Sequence, residues 1–318
     1  MTGYYSPLTY RVPPEDEGML LRTVLHNRML ISRKLLSRLK LTECGIMLNG
    51  ERVYITVKVK SGDLVEVRME EEVSEDILPQ DMPLDILYED DHLLIVNKPA
   101  GVIVHPTHGH YTNTLANGIV SYWQRKGERV RFRPVHRLDQ ETSGVLAVAK
   151  NPYIHQHISE QMIAGGVDKL YLAAVYGHPP EELGTVDAPI DRDTDNPHLR
   201  VVREDGYEAV THYETVRKYG PTSLVRLRLE TGRTHQIRVH MKHIGCPLIG
   251  DKMYTSERFA EITETMAKRI DRHALHAEQL SFVHPISGDR KIFKAPLPSD
   301  LEKLLLELAD ESKGTSDN

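Results

Sequence analysis

The sequence predicts an α+β fold, and three observations lead to this class. Short apolar or alternating runs, separated by turn residues and typical of strands, outnumber the helical patterns along the 318 residues. The spread of many strands and few helices argues against a doubly wound α/β sheet. No segment repeats internally, and no glycine-rich phosphate loop occurs. The length allows two domains with a sizeable core.

The composition is that of an ordinary soluble globular protein, with 40% hydrophobic and 27% charged residues. The two cysteines, Cys44 and Cys246, lie far apart, so they predict neither a disulfide framework nor a paired-cysteine zinc site. Residues 1–18 lack the apolar core of a signal peptide, and no run approaches the ~20 apolar residues that span a membrane. We expect a cytoplasmic protein without a membrane partner.

Residues 1–75 are predicted to form a small αβ domain. Residues 1–18 read as a loose arm or an edge strand, and Leu21 to Met29 then show helical spacing. Ser32 is a suitable N-cap for a second helix, and two basic residues follow it immediately. Because cations do not complement the positive end of a helix dipole, their position indicates an anionic partner. Short strands follow around the Asn49-Gly50 turn, including one from Val53 to Val59.

The distribution of charge is more informative than the net charge of −6, which does not indicate a nucleic-acid-binding protein. Residues 19–60 hold nine Lys or Arg against two Glu, and residues 125–137 hold six against one. Binding to phosphates needs local positive surface, and acidic surface elsewhere does not prevent it. The alternative is that both runs are simply solvated basic faces.

An acidic segment separates this domain from a larger one. Residues 70–83 lack clear periodicity and contain two prolines near their end, so we predict an extended or flexible linker, assigned to residues 76–83. The larger domain is expected over residues 84–305. Residues 306–318 are expected to form a polar C-terminal tail, disordered from about Glu311.

The larger domain reads as strands interspersed with a few helices. Asn151 is the predicted N-cap of one helix and Thr234 that of another. The HPTHGH segment at residues 105–110 could suggest a metal site, but no nearby Cys or carboxylate completes one, so we favour a polar loop that lines a cleft. Strands are predicted at residues 84–89, 92–96, 145–149, 169–176 and 223–229. Helices are predicted at 114–125, from Pro152 to the stop at Gly165-Gly166, and at 235–244.

One carboxylate occupies a position suited to chemistry. In the stretch PVHRLDQETSGVLAVAK, residues 134–150, Asp139 follows two cations and precedes a turn and a buried apolar strand. It is therefore predicted to lie on a loop at the mouth of a strand, where reactive groups are often found. The alternative is that Asp139 only caps the turn and pairs with Arg137.

Four segments resemble those of the RluA-type pseudouridine synthases. HRLDQETSG matches the family signature, in which HRLD is followed by two variable residues and TSG. Three further segments occur in the family's order and carry the resemblance over roughly residues 84–298: NKPAG at 97–101, KLYLAAVYG at 169–177 and TGRTHQIRVHMKHIGCPLIGD at 231–251. The N-terminal region resembles an S4 RNA-binding domain, although its spacing departs from the usual one. A merely structural cap is the alternative for that region.

The resemblance implies a mixed, mainly antiparallel sheet with peripheral helices and a central cleft. It implies the isomerisation of uridine to pseudouridine in RNA without a cofactor or a metal. Asp139 is then the catalytic carboxylate, Arg238 its ion-pair partner, and Tyr171 the residue that packs on the target base. The other residues implied to bind substrate or RNA are Arg137, His136, Arg233, His235 and Lys169 in the cleft, and Arg33, Lys34 and Arg38 in the N-terminal domain.

Other interpretations remain open at this point. Large-subunit ribosomal RNA is the favoured target, because an added RNA-binding domain suits a large folded RNA, and transfer RNA is the second choice. We expect the protein to be a monomer. A non-catalytic RNA-binding or ribosome-assembly factor would not need Asp139, Tyr171 and Arg238, although Tyr171 alone could be an ordinary strand aromatic. A metallohydrolase based on the HPTHGH histidines is a further alternative.

Overall fold

The computed structural model describes residues 3–314 and has an α+β fold. Its N-terminal part is a small module in which two short helices accompany a four-stranded antiparallel sheet of order β1-β4-β2-β3. The predicted edge strand is β1, and Ser32 Oγ accepts the Leu35 amide at 3.2 Å, as its predicted capping role requires. The elements are β1 (Leu8–Arg11), α1 (Leu21–Asn27), α2 (Arg33–Leu39), β2 (Ile46–Leu48), β3 (Glu51–Arg52) and β4 (Leu64–Val67).

The larger part is built around a nine-stranded, mainly antiparallel sheet. Its order is β5-β6-β7-β14-β8-β13-β12-β9, with β15 also paired to β14, and only β7 and β14 pair in parallel. Its strands are β5 (Asp85–Glu89), β6 (Leu93–Lys98), β7 (Ser143–Ala149), β8 (Asp168–Tyr176), β9 (Leu183–Asp187), β12 (Val210–Tyr219), β13 (Thr222–Leu229), β14 (Leu275–Val283) and β15 (Arg290–Lys294). A separate two-stranded ribbon pairs β10 (Ile190–Arg192) with β11 (Arg200–Val202).

Five helices accompany this sheet in the described part of the chain. They are α3 (Leu115–Arg125), α4 (Pro152–Ile163), α5 (Gln236–His243), α6 (Ala260–Met266) and α7 (Ser299–Gly314). Asn151 caps α4 as predicted, because its side chain accepts the Ile154 amide at 3.0 Å. None of the helices between residues 3 and 314 combines the length and apolarity needed to cross a bilayer.

The N-terminal module packs against one side of the large sheet. A continuous apolar cluster joins Leu21 and Leu25 of α1 to Leu93 and Ile95 of β6. The Tyr153 hydroxyl of α4 adds a buried hydrogen bond to the Met29 carbonyl at 3.1 Å. Burial of apolar surface stabilises such a contact by roughly 25 cal/mol per Å².

A second apolar cluster joins the sheet to α3 and α5. It contains Trp123 of α3, Leu146 of β7 and Ile237 of α5, all buried. Helix α5 begins at the loop that follows β13, so it brings the end of the TGRTHQIR segment close to the start of β7. The fold therefore places two of the quoted sequence segments at the same cleft.

Two expectations about the chain outside the cleft are wrong, and a third holds in part. The polar tail predicted over residues 306–318 is helical as far as Gly314, within α7, because Leu301, Leu304 and Leu308 bury a stripe against β8 and α6. Residues 315–318 of that prediction lie outside the described residues. Residues 53–59 form turns and a single bridge instead of a strand. The linker has no regular structure, but Ile77 is buried and the Leu78 carbonyl accepts the Asn117 side chain at 2.7 Å, so this segment is packed.

Candidate active site

The TSG motif fixes the loop of Asp139 to the neighbouring strand. Thr142 Oγ1 lies 2.8 Å from His273 Nε2, and Ser143 Oγ lies 3.0 Å from His276 Nδ1. Gly144 has φ 116°, and a Cβ atom there would lie 2.2 Å from the Ala277 carbonyl oxygen. Only glycine tolerates this approach, which explains the third position of the motif.

The NKPAG segment supports the same loop from the other side. Lys98 is fully buried, and its Nζ donates to the carbonyls of Pro99, Val102 and Gln140 at 2.7 to 2.9 Å. Burial lowers the pKa of Lys98 to about 7. The three carbonyl acceptors favour the charged form and oppose this shift. Since Gln140 follows Asp139 directly, Lys98 anchors the loop that carries the carboxylate.

Asp139 belongs to a buried triad of charges. Arg238 Nη1 lies 3.4 Å from Asp139 Oδ2, while Nε and Nη2 of the same guanidinium form a bidentate pair with Asp251 at 2.6 and 2.9 Å. The Arg238 side chain is 6% exposed and that of Asp251 is 0% exposed, whereas Asp139 is 28% exposed. Asp251 therefore orients the arginine, and Asp139 keeps a free edge towards the cleft.

The pKa shifts of this triad are consistent with charged partners. Burial would raise the pKa of Asp251, but hydrogen bonds and the charge of Arg238 outweigh it and lower that pKa. Burial likewise opposes the charge of Arg238, but its bonds to Asp251 and the charge of Asp139 raise its pKa. Both members of the buried pair are therefore ionised at neutral pH.

Two adjoining cavities, of about 780 and 860 Å³, meet at Asp139. Both are lined by Asp139, Arg137, His235 and Arg238, so the carboxylate lies on the ridge where the cavities join. The smaller cavity also includes His105 to Thr107, as expected for a polar loop that lines the cleft. Together the cavities offer room for a nucleotide.

Tyr171, His136 and Lys169 lie in the wall of the larger cavity. Burial and then the charge of Asp139 raise the pKa of Tyr171 well above its usual value, so the phenol stays protonated. Burial and then Lys169 lower the pKa of His136 to about 4, so its imidazole is neutral at pH 7. His136 Nε2 accepts the Ala147 amide at 3.4 Å, and the buried Nδ1 has no partner within the described structure.

A family model described as RNA pseudouridylate synthase matches residues 92–243. The Bacillus subtilis RNA pseudouridine synthase YjbO is 43% identical over 276 residues, which cover 86% of this chain and 94% of that protein. The chain belongs to the RluA-type RNA pseudouridine synthases. The ribosomal large subunit pseudouridine synthase D of Xanthomonas campestris is a further relative of this synthase, 40% identical over 84% of this chain and 82% of its own.

A solved structure agrees with the family and the fold. Human RNA pseudouridylate synthase domain containing 4 superposes with a TM-score of 0.56 at 26% identity, covering 70% of this chain and 92% of its own. The protein is therefore an RNA pseudouridine synthase, and the expected α+β class is confirmed. His105 of the HPTHGH segment lines this synthase's cleft, and no group of three or more potential metal ligands occurs among residues 3–314.

The remaining residues that the sequence assigned to the synthase's substrate lie around the cleft rim. Arg137 is exposed, and Arg233 contributes to the wall of the larger cavity. His235 Nε2 lies 3.9 Å from Asp139 Oδ2, and its Nδ1 lies 2.8 Å from the Tyr254 hydroxyl. The prediction that Thr234 caps α5 is wrong: His235 occupies that position with φ 58° and no side-chain cap.

The two basic runs of the synthase differ in the structure. In the run at 125–137, five of the six cations pair with carboxylates, for example Arg133 with Glu72 at 2.6 Å, and only Arg137 forms no ion pair within residues 3–314. The acidic residues 70–72 that the sequence assigned to a linker region provide several of these partners. In the N-terminal module, Arg33 and Lys34 are exposed on α2, while Arg38 pairs with Glu72 at 2.5 Å.

Sequence reasoning missed two residues that shape the site of this synthase. Asp251 ends the quoted TGRTHQIRVHMKHIGCPLIGD segment, but nothing in its spacing showed that it holds Arg238 more closely than Asp139 does. Lys98 lies in the quoted NKPAG segment, where the lysine between an apolar strand and Pro-Ala-Gly was the available signal.

Proposed function

We propose that this synthase isomerises specific uridines of large-subunit ribosomal RNA by an aspartate-dependent reaction. The observation that carries the proposal is the position of Asp139, which Arg238 contacts at 3.4 Å where two cavities meet. The ribosomal target is supported by similarity, near 40% identity, to proteins named ribosomal large subunit pseudouridine synthase D from several bacteria. Transfer RNA is the second candidate substrate.

The reaction exchanges one bond of uridine for another. The N1–C1′ glycosidic bond breaks, a C5–C1′ bond forms, C5 loses its hydrogen as a proton, and N1 gains one. No electrons are gained or lost, so the balance needs no redox partner. A carboxylate suits such a glycosyl exchange because it stabilises or captures an electron-poor sugar carbon. We assign this part to Asp139.

Arg238 and Tyr171 are proposed to assist Asp139. Arg238 pairs with the carboxylate and fixes its orientation, since its guanidinium donates a charge-assisted hydrogen bond at 3.4 Å. Tyr171 stays protonated because burial and Asp139 raise its pKa, so it offers a flat aromatic face and a hydroxyl to the target base. Both side chains lie beside Asp139 in the larger cavity.

The cleft residues around this centre are proposed to bind the nucleotide. Arg137 is exposed at the mouth and carries no competing ion pair within the described structure, so it is suited to enter the helix when the uridine flips out. His136 and Lys169 line the same cavity, and we assign to them contacts with the uracil carbonyls or a phosphate. Arg233 and His235 complete this proposed substrate-binding set.

The N-terminal module is proposed to be an S4-like RNA-binding domain, with Arg33, Lys34 and Arg38 on its contact face. Arg33 and Lys34 are exposed at the start of α2 without acidic residues in its first turn. These two cations interact unfavourably with the positive end of the helix dipole, and the negative charge of RNA phosphates would offset this interaction. The alternative, a cap without RNA contact, is favoured by the apolar cluster that joins the module to the sheet. A monomer in the cytoplasm remains our proposal.

The test uses RNA in which uridine carries tritium at C5. Because C5 loses its hydrogen in the reaction, tritium release measures turnover directly. We expect release from a transcript of large-subunit ribosomal RNA, little release from a transfer RNA transcript, and none when Asp139→Asn protein is used. The Asp139→Asn protein should keep its fold and bind the ribosomal transcript within a few-fold of wild type. Release by this variant would contradict the role of Asp139.

A further inference from the structure

Tyr207 is a large aromatic residue that the fold leaves exposed beside the cleft. Its side chain is 65% exposed, and it follows the ribbon strand β11. The guanidinium carbon of Arg233 lies 5.6 Å from the centroid of its ring, so Arg233 covers part of one face. Arg233 Nε also donates to the Glu208 carbonyl at 2.9 Å. An aromatic ring and a cation are thus held together at the rim.

The backbone that carries this ring is fixed. The Tyr207 amide donates to the Ile190 carbonyl at 3.0 Å, and the Ile190 amide donates to the Tyr207 carbonyl at 2.9 Å. A Cβ atom on Gly206 would lie 2.8 Å from the Ile190 carbonyl carbon, so the turn approaches the buried Ile190 closely. A ring presented by an ordered segment loses little conformational freedom when a ligand binds.

The position of the ring determines which part of an RNA it could meet. Tyr207 lies outside the walls of both cavities, whereas Arg233 lies in the wall of the larger one. Arg233 is two residues before His235, whose Nε2 is 3.9 Å from Asp139. When the target nucleotide has its reactive sugar at Asp139, Tyr207 is therefore positioned to contact a neighbouring nucleotide. Unpaired bases stack on exposed aromatic residues in this way, and guanidinium groups bind phosphates.

We propose that Tyr207 is a stacking platform for an unpaired base that flanks the target uridine, while Arg233 binds the adjoining phosphate. The proposal rests on the RNA-modifying function proposed above, and it adds a contact outside the cavity. Tyr207 then contributes to substrate affinity without contacting the reacting atoms. Stacking needs only the ring face, so phenylalanine should replace tyrosine and alanine should not.

The test is steady-state tritium release from the large-subunit ribosomal RNA transcript, with Tyr207→Ala and Tyr207→Phe. We expect Tyr207→Ala to raise KM about tenfold, as for loss of one base–aromatic stack, with kcat within about twofold of wild type. Tyr207→Phe should keep KM within about twofold. The control is Leu306→Ala, which truncates an exposed apolar side chain on α7 and should leave both constants unchanged.

The salt dependence of KM distinguishes base stacking on Tyr207 from a role in which Tyr207 only holds Arg233 in place. Arg233→Ala should reduce the slope of log KM against log salt by about one, since one phosphate contact is lost, whereas Tyr207→Ala should leave that slope unchanged. Two results for Tyr207→Ala would overturn the proposal: a KM within twofold of wild type, or a salt slope equal to that of Arg233→Ala. In either case, turnover by the wild-type protein would leave the proposed function intact. Wild-type protein without tritium release would overturn both.

Discussion

Replacing Asp251 by asparagine should weaken both the stability and the activity of the synthase. The substitution keeps the shape of the side chain but removes the charge that pairs with Arg238 at 2.6 and 2.9 Å. The Oδ1 oxygen that accepts the amides of Met253 and Tyr254 can remain an acceptor. The loss therefore comes mainly from the buried guanidinium, which keeps only Asp139 as a charged partner.

The magnitude follows from the burial of the pair. Removing one partner of a buried ion pair costs roughly 3–5 kcal/mol. We expect a loss of about 3 kcal/mol in the free energy of unfolding, at the lower end of that range, because Asp139 and the retained hydrogen bonds compensate in part. Displacement of Arg238 should also lower kcat roughly 100-fold, as a shift of about 1 Å in a positioning group can do.

The pH dependence of stability provides an independent signature. The pKa of Asp251 in the folded protein lies below the usual value of 3.8, so the stability that this carboxylate contributes is fully present above pH 3.8. This stability is lost as pH falls through the lower, folded-state pKa. Wild-type protein should therefore lose stability below pH 3.8 more steeply than Asp251→Asn, which has no such carboxyl to titrate.

Urea unfolding at pH 7 and at acid pH, together with tritium release, measures these effects. Asp310→Asn is the control, since Asp310 is exposed on α7 and pairs with the exposed Lys313. It should change neither stability nor kcat. An Asp251→Asn protein that stays within about 1 kcal/mol of wild type, with kcat within about threefold, would refute the orienting role of Asp251.

Three further substitutions test other parts of the structure. Arg238→Lys keeps the charge but loses the fork that reaches two carboxylates, so kcat should fall roughly 100-fold while RNA binding stays near wild type; wild-type kcat would contradict this. Tyr153→Phe removes the hydrogen bond to the Met29 carbonyl and should lower the free energy of unfolding in urea by about 1 kcal/mol. Gly144→Ala places a Cβ atom against the Ala277 backbone, so the free energy of unfolding should fall by at least about 3 kcal/mol. Soluble yield and thermal midpoint should fall with it, and a variant as stable as wild type would exclude this contact.

The sequence predicted local features of the fold well because their causes are local. Ser32 and Asn151 cap the helices that follow them, and the apolar run after Asp139 forms β7. Leu301, Leu304 and Leu308 also have helical spacing, and they lie on the buried side of α7. The predicted polar tail over residues 306–318 overlooks this period, although it is visible in the sequence.

The pairing of charges could not be predicted, because it depends on tertiary contacts. Glu72 and Arg133 lie 61 positions apart, yet they form an ion pair at 2.6 Å that explains why the acidic segment is packed instead of flexible. Asp251 pairs with Arg238 across the loop that follows α5, which neither the helical period nor the charge pattern indicates. Motif resemblance indicated the residues of the candidate site, and the structure was needed to find that Asp251 orients Arg238.

The central claim is that Asp139 serves the conversion of uridines in large-subunit ribosomal RNA. The most direct test is chemical mapping of pseudouridines in total RNA from cells that lack this protein, complemented with either wild type or Asp139→Asn. Specific sites in the large-subunit RNA should disappear and return only with wild type. If no ribosomal site disappears, or if Asp139→Asn restores the missing sites, the account is contradicted.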